Sequence, residues 1–321
     1  MSATYLLGGL TIEVRCADES VAALIDSRFG SLRTESSGPA DLMVEVRGPG
    51  GERTWPPEPT GTGRPIYDAP SAQVEYFDRS DQLFVDYEGR ARLLCTPAEG
   101  LIEISIIGSA PGDPVLATHP MLTIALVETL KRFERYSLHA AGLAWNGRGV
   151  LVPGASGAGK STTSVTLVRA GFGFLSDDTV FLTRDGQGIW VAGFPDEVDV
   201  TDNTVAMIPE LAYLAESAIR PGRDKHSFRV EEVFGITPLA GCRPEVLLAP
   251  QVVAGPDTRV EPMAPSEALM ALLPNVLLTE PVATQAHLDM LAELAESLRC
   301  LRLLVGSDLD AAAACVADLV S

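Results

Sequence analysis

One octapeptide constrains the fold of this chain more than any other feature. It reads Gly154-Ala155-Ser156-Gly157-Ala158-Gly159-Lys160-Ser161 and fits the pattern G-x-x-x-x-G-K-[ST]. Such a loop joins the end of a buried strand to the amino terminus of a helix. Residues 150–153 form an apolar strand pattern before it, and residues 161–170 form a helical pattern after it. Residues 154–161, called the P-loop below, therefore predict an α/β domain.

The residue types of the P-loop are those that bind phosphate. Glycines let successive backbone N–H groups turn toward phosphate oxygens, and the amino end of the following helix adds its positive dipole. Lys160 would reach the β- and γ-phosphates as a point charge, and Ser161 would place a hydroxyl on Mg²⁺. The sequence therefore predicts that ATP and Mg²⁺ bind here.

Two adjacent carboxylates follow the apolar residues 172–175. Asp177 and Asp178 lie 17 and 18 positions after Lys160. Two strands that run in the same direction end at the same edge of a sheet, so we expect both carboxylates near the phosphates. In phosphoryl transfer, one acid accepts the proton of the attacking hydroxyl and another holds Mg²⁺. We predict Ser161 and Asp178 as metal contacts, while the residues alone leave open which aspartate is the base.

The two ends of the chain have different hydrophobic patterns. Residues 1–110 alternate apolar and polar side chains in short runs, which is typical of an antiparallel sheet with one buried face. These runs are residues 10–15, 42–47, 72–76, 83–87 and 101–106. After residue 114, helical and strand patterns alternate, as in α/β domains. We predict a β-rich α+β domain over residues 1–113 and a P-loop ATP-binding domain over residues 114–321.

Charge and composition exclude several partners. The 321 residues carry 24 Lys and Arg against 43 Asp and Glu, a net charge of −19, which argues against a nucleic-acid groove or an anionic membrane surface. No run of about 18 apolar residues suggests a membrane span, and the N-terminus has no signal-peptide pattern. The five cysteines are widely spaced, as in reduced proteins. We expect a cytoplasmic protein with no nucleic-acid or membrane partner.

Three weaker signals lie outside these motifs. The basic run of residues 220–226 contains Lys225, one of three lysines in the chain, which could contact the phosphates. A predicted helix over residues 121–136 carries Arg132 on what we interpret as a solvent-exposed face. Trp190 and Phe194 follow the acid pair and could stack on a base, although aromatic residues in strands usually belong to the core.

Three motifs together resemble HPr kinase/phosphorylase, a family of the phosphoenolpyruvate carboxykinase type of P-loop proteins. They are Ser137-Leu138-His139-Ala140-Ala141-Gly142, the P-loop, and residues 171–175 followed by Ser176-Asp177-Asp178. The match spans residues 137–182. A second family signature further along the chain is not recognisable, and residues 188–195 take its place. The resemblance therefore concerns the nucleotide chemistry more than the acceptor.

The resemblance implies a role for each matching position. Lys160 would contact the phosphates, Ser161 with Thr162 would serve Mg²⁺, and Asp177 and Asp178 would supply the base and a metal contact. His139 falls on the family's histidine close to the acid pair, where it would orient an aspartate. The implied fold is a P-loop kinase core of the HPr kinase/PEP carboxykinase type. Relatives form oligomers, so this chain could also form a homo-oligomer.

The function favoured by these features is an ATP-dependent kinase. Its acceptor would be a serine-type hydroxyl of a protein or peptide, such as a modified-peptide precursor. Two alternatives stay open: an ATP-binding accessory protein without phosphotransfer, and a small-molecule kinase. The acid pair argues against the first, because a pure binder needs no general base. An open groove would favour a peptide acceptor and a deep closed pocket a small molecule.

Overall fold

The computed structural model describes residues 2–35, 38–49, 56, 59–66, 71–155, 157–217, 219 and 224–320. Its contacts divide the chain into two compact units. The first unit contains residues 1–134 and 278–284, and the second contains residues 135–277 and 285–321. Residues 114–134 thus belong to the first unit. The boundary between two domains after residue 113 stays a prediction.

The first unit consists of one large sheet with two helices. Its elements are β1 (Ser2–Leu7), β2 (Leu10–Cys16), α1 (Glu19–Phe29), β3 (Leu42–Arg47), β4 (Arg64–Pro65), β5 (Ala72–Phe77), β6 (Gln82–Tyr87), β7 (Ala91–Thr96), β8 (Leu101–Ile106) and α2 (Thr123–Thr129). The strand order in the described residues is β1-β2-β3-β8-β7-β6-β5-β4. Alternate residues of β2 and β3 are buried, as their sequence pattern predicts. All five predicted strand runs are therefore confirmed.

The sheet of the first unit is mixed and not antiparallel as predicted. β3 pairs in parallel with both β2 and β8, while the remaining pairings are antiparallel. The β2–β3 pairing is parallel because α1 connects these strands and brings the chain back in the same direction. Asp18 starts this helix by accepting hydrogen bonds from the backbone of Ser20 and Val21.

The helix predicted over residues 121–136 is shorter in the structure. The prediction that Arg132 lies on its solvent-exposed face is wrong. α2 ends at Thr129 and continues as a 3₁₀ turn, Leu130–Phe133. The Arg132 guanidinium lies 2.7 Å from the Glu280 carboxylate and donates to the Tyr76 hydroxyl at 2.6 Å. A polar network within the first unit therefore holds Arg132.

Beside that network lies a buried ion pair. Lys131 is only 3% exposed, and its Nζ donates to Glu128 Oε2 and to Thr279 Oγ1, each at 2.8 Å. Thr279 Oγ1 in turn donates to Glu128 Oε2 at 2.6 Å. These bonds fix residues 278–284 to the rest of the first unit.

The second unit carries the P-loop. Its elements are β9 (Tyr136–Trp145), β10 (Arg148–Pro153), α3 (Lys160–Arg169), β11 (Gly173–Ser176), β12 (Thr179–Asp185), β13 (Gly188–Gly193), β14 (Val198–Val200), α4 (Asp202–Met207), β15 (His226–Phe228), α5 (Val230–Phe234), β16 (Gly241–Val252), β17 (Arg259–Pro262), α6 (Pro265–Leu272), α7 (Pro281–Ser297), β18 (Arg299–Val305) and α8 (Leu309–Leu319). α7 begins within residues 278–284 of the first unit. The mixed α/β character predicted from the sequence is confirmed.

The main sheet of the second unit follows the order β10-β9-β12-β13-β16-β18-β17 in the described residues, and β11 pairs with β9. β10 also pairs in parallel with β16, so five strands form a closed circuit of pairings. α3 packs between this sheet and α8, around a core that includes Val152, Val165 and Leu303. β14 and β15 form a separate two-stranded ribbon.

The described part of the chain contains no helix with the length and apolar character needed to cross a bilayer.

Candidate functional site

The P-loop has the predicted setting between a strand and a helix. β10 ends at Pro153 and α3 begins at Lys160. Gly157 and Gly159 have φ angles of +83° and +98°, which side chains rarely allow. The Ala158 N–H donates to the Ala155 carbonyl at 3.1 Å and closes a turn within the loop. Ser156, which we predicted as a phosphate contact, lies outside the described residues.

Two P-loop glycines have close neighbours. A Cβ atom at Gly154 would lie 3.3 Å from the Ala158 side chain and 3.5 Å from Pro250 of β16. A Cβ atom at Gly159 would lie 3.0 Å from a methyl group of Val252, the last residue of β16. The end of β16 therefore lies alongside the P-loop.

Asp177 lies in the turn between β11 and β12 and contacts the start of α3. Its carboxylate accepts hydrogen bonds from Ser161 Oγ at 2.8 Å and from Ser164 Oγ. Lys160 Nζ donates to the backbone carbonyl of the same aspartate at 2.5 Å. Lys160 and Asp177 are 9% and 4% exposed. The structure thus brings together the P-loop lysine, the P-loop serine and the first acid.

Asp178 follows Asp177 in the same turn and pairs with a histidine. His139 Nδ1, from β9, lies 3.2 Å from Asp178 Oδ1. Thr179 Oγ1 donates to the other carboxylate oxygen at 3.0 Å. The Asp178 side chain is 51% exposed and that of His139 is 44% exposed. This carboxylate can therefore be reached from solvent, in contrast to Asp177.

The pKa of Asp178 lies well below its usual range. Partial burial raises this pKa, but the hydrogen bond and charge of His139, together with the charge of Lys160, lower it by more. Because half of the side chain remains exposed, the desolvation is incomplete and the lowering dominates. Asp178 is therefore a carboxylate at neutral pH and can accept a hydrogen bond.

A chain of hydroxyl groups connects α3 to the β14–β15 ribbon. Thr162 Oγ1, one residue after the P-loop, lies 2.8 Å from Thr204 Oγ1 of α4. Thr204 Oγ1 lies 3.3 Å from Thr201 Oγ1 at the start of the same helix. The sequence gave no sign of this contact, because Thr204 is 42 positions away from Thr162.

Lys225 lies at the near end of this ribbon. Val200 pairs with His226, so the antiparallel register places Lys225 opposite Thr201. His226 is 6% exposed, and its Nε2 lies 3.0 Å from Asp202 Oδ1. The backbone of Lys225 therefore lies beside Thr201, which the chain of hydroxyl groups links to Thr162 of α3. Most of the basic run before it, residues 220–223, lies outside the described residues.

Two aromatic candidates lie outside this group. The Arg243 guanidinium stacks over the Trp190 ring, and Phe194 is 1% exposed with its ring edge-to-face with Phe181. Both side chains pack within the second unit, as is usual for aromatic residues in strands.

The site's oxygen ligands suit a hard cation. Ser161 Oγ and the Asp177 carboxylate lie side by side at the start of α3. Within the described residues, no group of three His, Cys, Asp or Glu side chains is arranged to hold a metal ion. Mg²⁺ commonly binds through one or two protein oxygens plus phosphate and water, so this small set of ligands fits Mg²⁺. The geometry favours Asp177 as the carboxylate next to Ser161, where the sequence analysis assigned Asp178.

Comparison with known proteins gives a consistent set of relatives, although no protein-family model matches the chain. The chain is 27% identical over 184 residues to the HPr kinase/phosphorylase of Azoarcus sp. (strain BH72), covering 51% of this chain and 58% of that protein. It is 29% identical over 143 residues to the HPr kinase/phosphorylase of Bacillus velezensis, covering 40% and 45%. The matches span about half the length of these curated relatives.

Among solved structures, the chain matches the Hpr(Ser) kinase/phosphatase from Coxiella burnetii with a TM-score of 0.27 and 17% identity. That match covers 40% of this chain and 72% of the other.

Proposed function

We propose that this chain, a relative of the HPr kinase/phosphorylases, is a kinase that transfers the γ-phosphate of ATP to a serine-type hydroxyl of a protein or peptide. The proposal includes the fold of its second unit, a P-loop kinase core of the HPr kinase/PEP carboxykinase type. One observation carries it. The P-loop serine Ser161 contacts Asp177 at the start of α3, and Asp178, the next residue of the same turn, pairs with His139.

Binding of the phosphates is assigned to the P-loop backbone, Lys160, Thr162 and Lys225. Two loop glycines have backbone angles that turn N–H groups inward, and Lys160 Nζ is held beside the loop by the Asp177 carbonyl. Lys225 forms no ion pair with any described residue, and it extends from the ribbon that Thr204 fastens to Thr162. Its amine is therefore free to bind an anion.

Ser161 and Asp177 would hold Mg²⁺, with Asp178 as a second candidate. When bound with the nucleotide, the ion neutralises charge that develops on the phosphates. Binding would require the Ser161 hydroxyl to turn its oxygen toward the ion. Ser164, which is fully buried, would keep its hydrogen bond to Asp177 and hold the carboxylate in place.

Asp178 is the proposed general base. The acceptor oxygen attacks the γ-phosphorus, the bond between that phosphorus and the β,γ-bridging oxygen breaks, and ADP leaves. The hydroxyl proton moves to the Asp178 carboxylate. Because the pKa of Asp178 is low, most of the catalysis comes from positioning and from charge stabilisation, as is common in phosphoryl transfer. His139 would orient this carboxylate through its 3.2 Å contact.

A radiolabel experiment tests the reaction and its acceptor. Mg·ATP labelled at the γ-phosphate is incubated with extract of the native host, which is then separated into small-molecule, peptide and protein fractions. We expect label in the peptide or protein fraction, lost with Lys160→Ala and with Asp178→Asn. Trp190→Phe, which changes a packed aromatic outside the site, is the matched control and should keep the activity.

The other outcomes separate the alternatives. Label in the small-molecule fraction would replace the proposed acceptor with a metabolite. Label that stays in ATP, although the protein still binds the nucleotide, would overturn the kinase proposal in favour of an accessory protein. Label transfer that survives Asp178→Asn would remove this residue from the role of base.

A further inference from the structure

We infer that the carboxyl end of β16 forms the subsite for the nucleoside part of the bound nucleotide, with Val252 as its apolar wall. The inference rests on the proposed function, since it concerns the nucleotide whose phosphates the P-loop would bind. It begins from the direction of the strands. β10, β16 and β18 run in parallel, so their carboxyl ends share one edge of the sheet. The P-loop follows β10 directly, so a nucleotide bound by this loop lies at the same edge.

The two proposed catalytic acids lie on one flank of the P-loop strand. β9 pairs with one side of β10 and carries His139, and the turn between β11 and β12, which also pair with β9, carries Asp177 and Asp178. The γ-phosphate must lie on this flank, because the proposed base is there. β16 lies on the other flank of β10. A nucleotide that extends away from the acids therefore passes over the P-loop toward β16.

Val252 is the group that meets it there. A single exposed valine has no meaning by itself. This one is 62% exposed at the last position of β16, and one of its methyl groups lies 3.0 Å from where a Cβ of Gly159 would be. Val252 is therefore next to the P-loop and keeps exposed apolar surface.

The loop after Val252 is held in place by the turn that follows β18. Val253 N–H donates to the Val305 carbonyl at 3.0 Å, and Ser307 N–H donates to the Gly255 carbonyl at 2.9 Å. Gly306 N–H donates to Thr258 Oγ1 at 3.1 Å. A surface fixed in this way loses little entropy when a ligand binds, which suits it to a rigid, partly apolar nucleoside.

The test compares a ligand that has a nucleoside with one that does not. Binding of Mg·ADP and of inorganic tripolyphosphate is measured by titration calorimetry for the wild type, Val252→Asn and Val252→Thr. Both variants are uncharged, so neither repels phosphate, and Val252→Thr keeps the shape that touches Gly159. Val282→Asn, at an exposed valine of α7 that is 73% exposed, is the matched control.

We expect Val252→Asn to weaken ADP binding about fivefold or more and tripolyphosphate binding less than twofold, with a smaller ADP effect for Val252→Thr. Equal losses for both ligands would overturn the inference, because Val252 would then act through the P-loop. Unchanged ADP binding in both variants would also overturn it and would leave the kinase proposal intact. A wild type that binds neither ligand would remove the proposed function and this inference together.

Discussion

The hydrogen bond from Ser164 to Asp177 gives the sharpest prediction about the site. Ser164 is fully buried in α3, and Asp177 is 4% exposed, so water cannot replace a lost partner easily. Ser164→Ala removes this bond, while Ser161 Oγ still donates to the other oxygen of the carboxylate. A hydrogen bond to a charged group contributes about 1.5–3 kcal/mol, and the side chain shrinks by only one oxygen. We therefore expect Ser164→Ala to lower the free energy of unfolding by about 2 kcal/mol.

The neighbouring residue of the same helix provides the control. Thr163 is 5% exposed, yet its hydroxyl has no hydrogen-bond partner among the described residues. Thr163→Val keeps the shape and removes an unsatisfied polar group, so the free energy of unfolding should stay equal or rise. The two variants thus change similar hydroxyl groups, at consecutive positions of α3, with opposite expected signs.

Urea denaturation followed by tryptophan fluorescence measures both variants, because Trp145 and Trp190 lie in the second unit. The slope of the transition must match that of the wild type for the comparison to hold. A loss of less than about 0.5 kcal/mol for Ser164→Ala would refute the argument, since it would show that the bond contributes no net stability. Equal losses for both variants would refute it as well, because the effect would then come from helix α3 and not from Asp177.

Three further predictions concern His139, Lys131 and Gly159. The pKa of Asp178 is lowered in the folded state, so ionisation of this carboxyl group stabilises the fold above the unfolded pKa of 3.8. This stabilisation is lost as the pH falls through the lower pKa of the folded state. In urea titrations, His139→Gln should therefore destabilise the protein more at pH 6 than at pH 3, and an equal loss of stability at both pH values would contradict this. Lys131→Met leaves the buried Glu128 unpaired and should lower the free energy of unfolding in urea by about 3–5 kcal/mol. Adding Glu128→Leu should restore part of this stability, and a double variant that restores none of it would argue against the ion pair. Gly159→Ala forces a side chain to a φ of +98° and should weaken Mg·ADP binding measured by calorimetry at least several-fold, whereas unchanged affinity would show that the loop relaxes.

Much of the fold could be predicted because periodicity reflects burial. β8 and β3 were predicted at the residues where they occur, 101–106 and 42–47. The parallel pairing of β3 could not be predicted, because alternation shows which face is buried but not the direction of the neighbouring strand. The helix predicted over residues 121–136 becomes a 3₁₀ turn at Leu130.

The core of the site was predictable for a different reason. The P-loop motif fixes a strand, a loop and a helix at once, so Lys160 and Ser161 had defined places before any contact was known. The separate contacts of Asp177 with Ser161 and of Asp178 with His139 were not predictable, because adjacent residues in a turn point in directions that only the backbone decides. Ser164 was missed, although its spacing of three from Ser161 puts both hydroxyls on one face of α3.

The scarcity of lysine has a practical consequence for chemical labelling. Lys131 is enclosed by its ion pair and Lys160 is 9% exposed, whereas Lys225 is half-buried and forms no ion pair with a described residue. Apart from the terminal amine, an acylating reagent would therefore modify mainly Lys225. Mass spectrometry of this single acylated position would work as a reporter of whether the neighbouring surface is covered, without any added fluorophore or engineered cysteine.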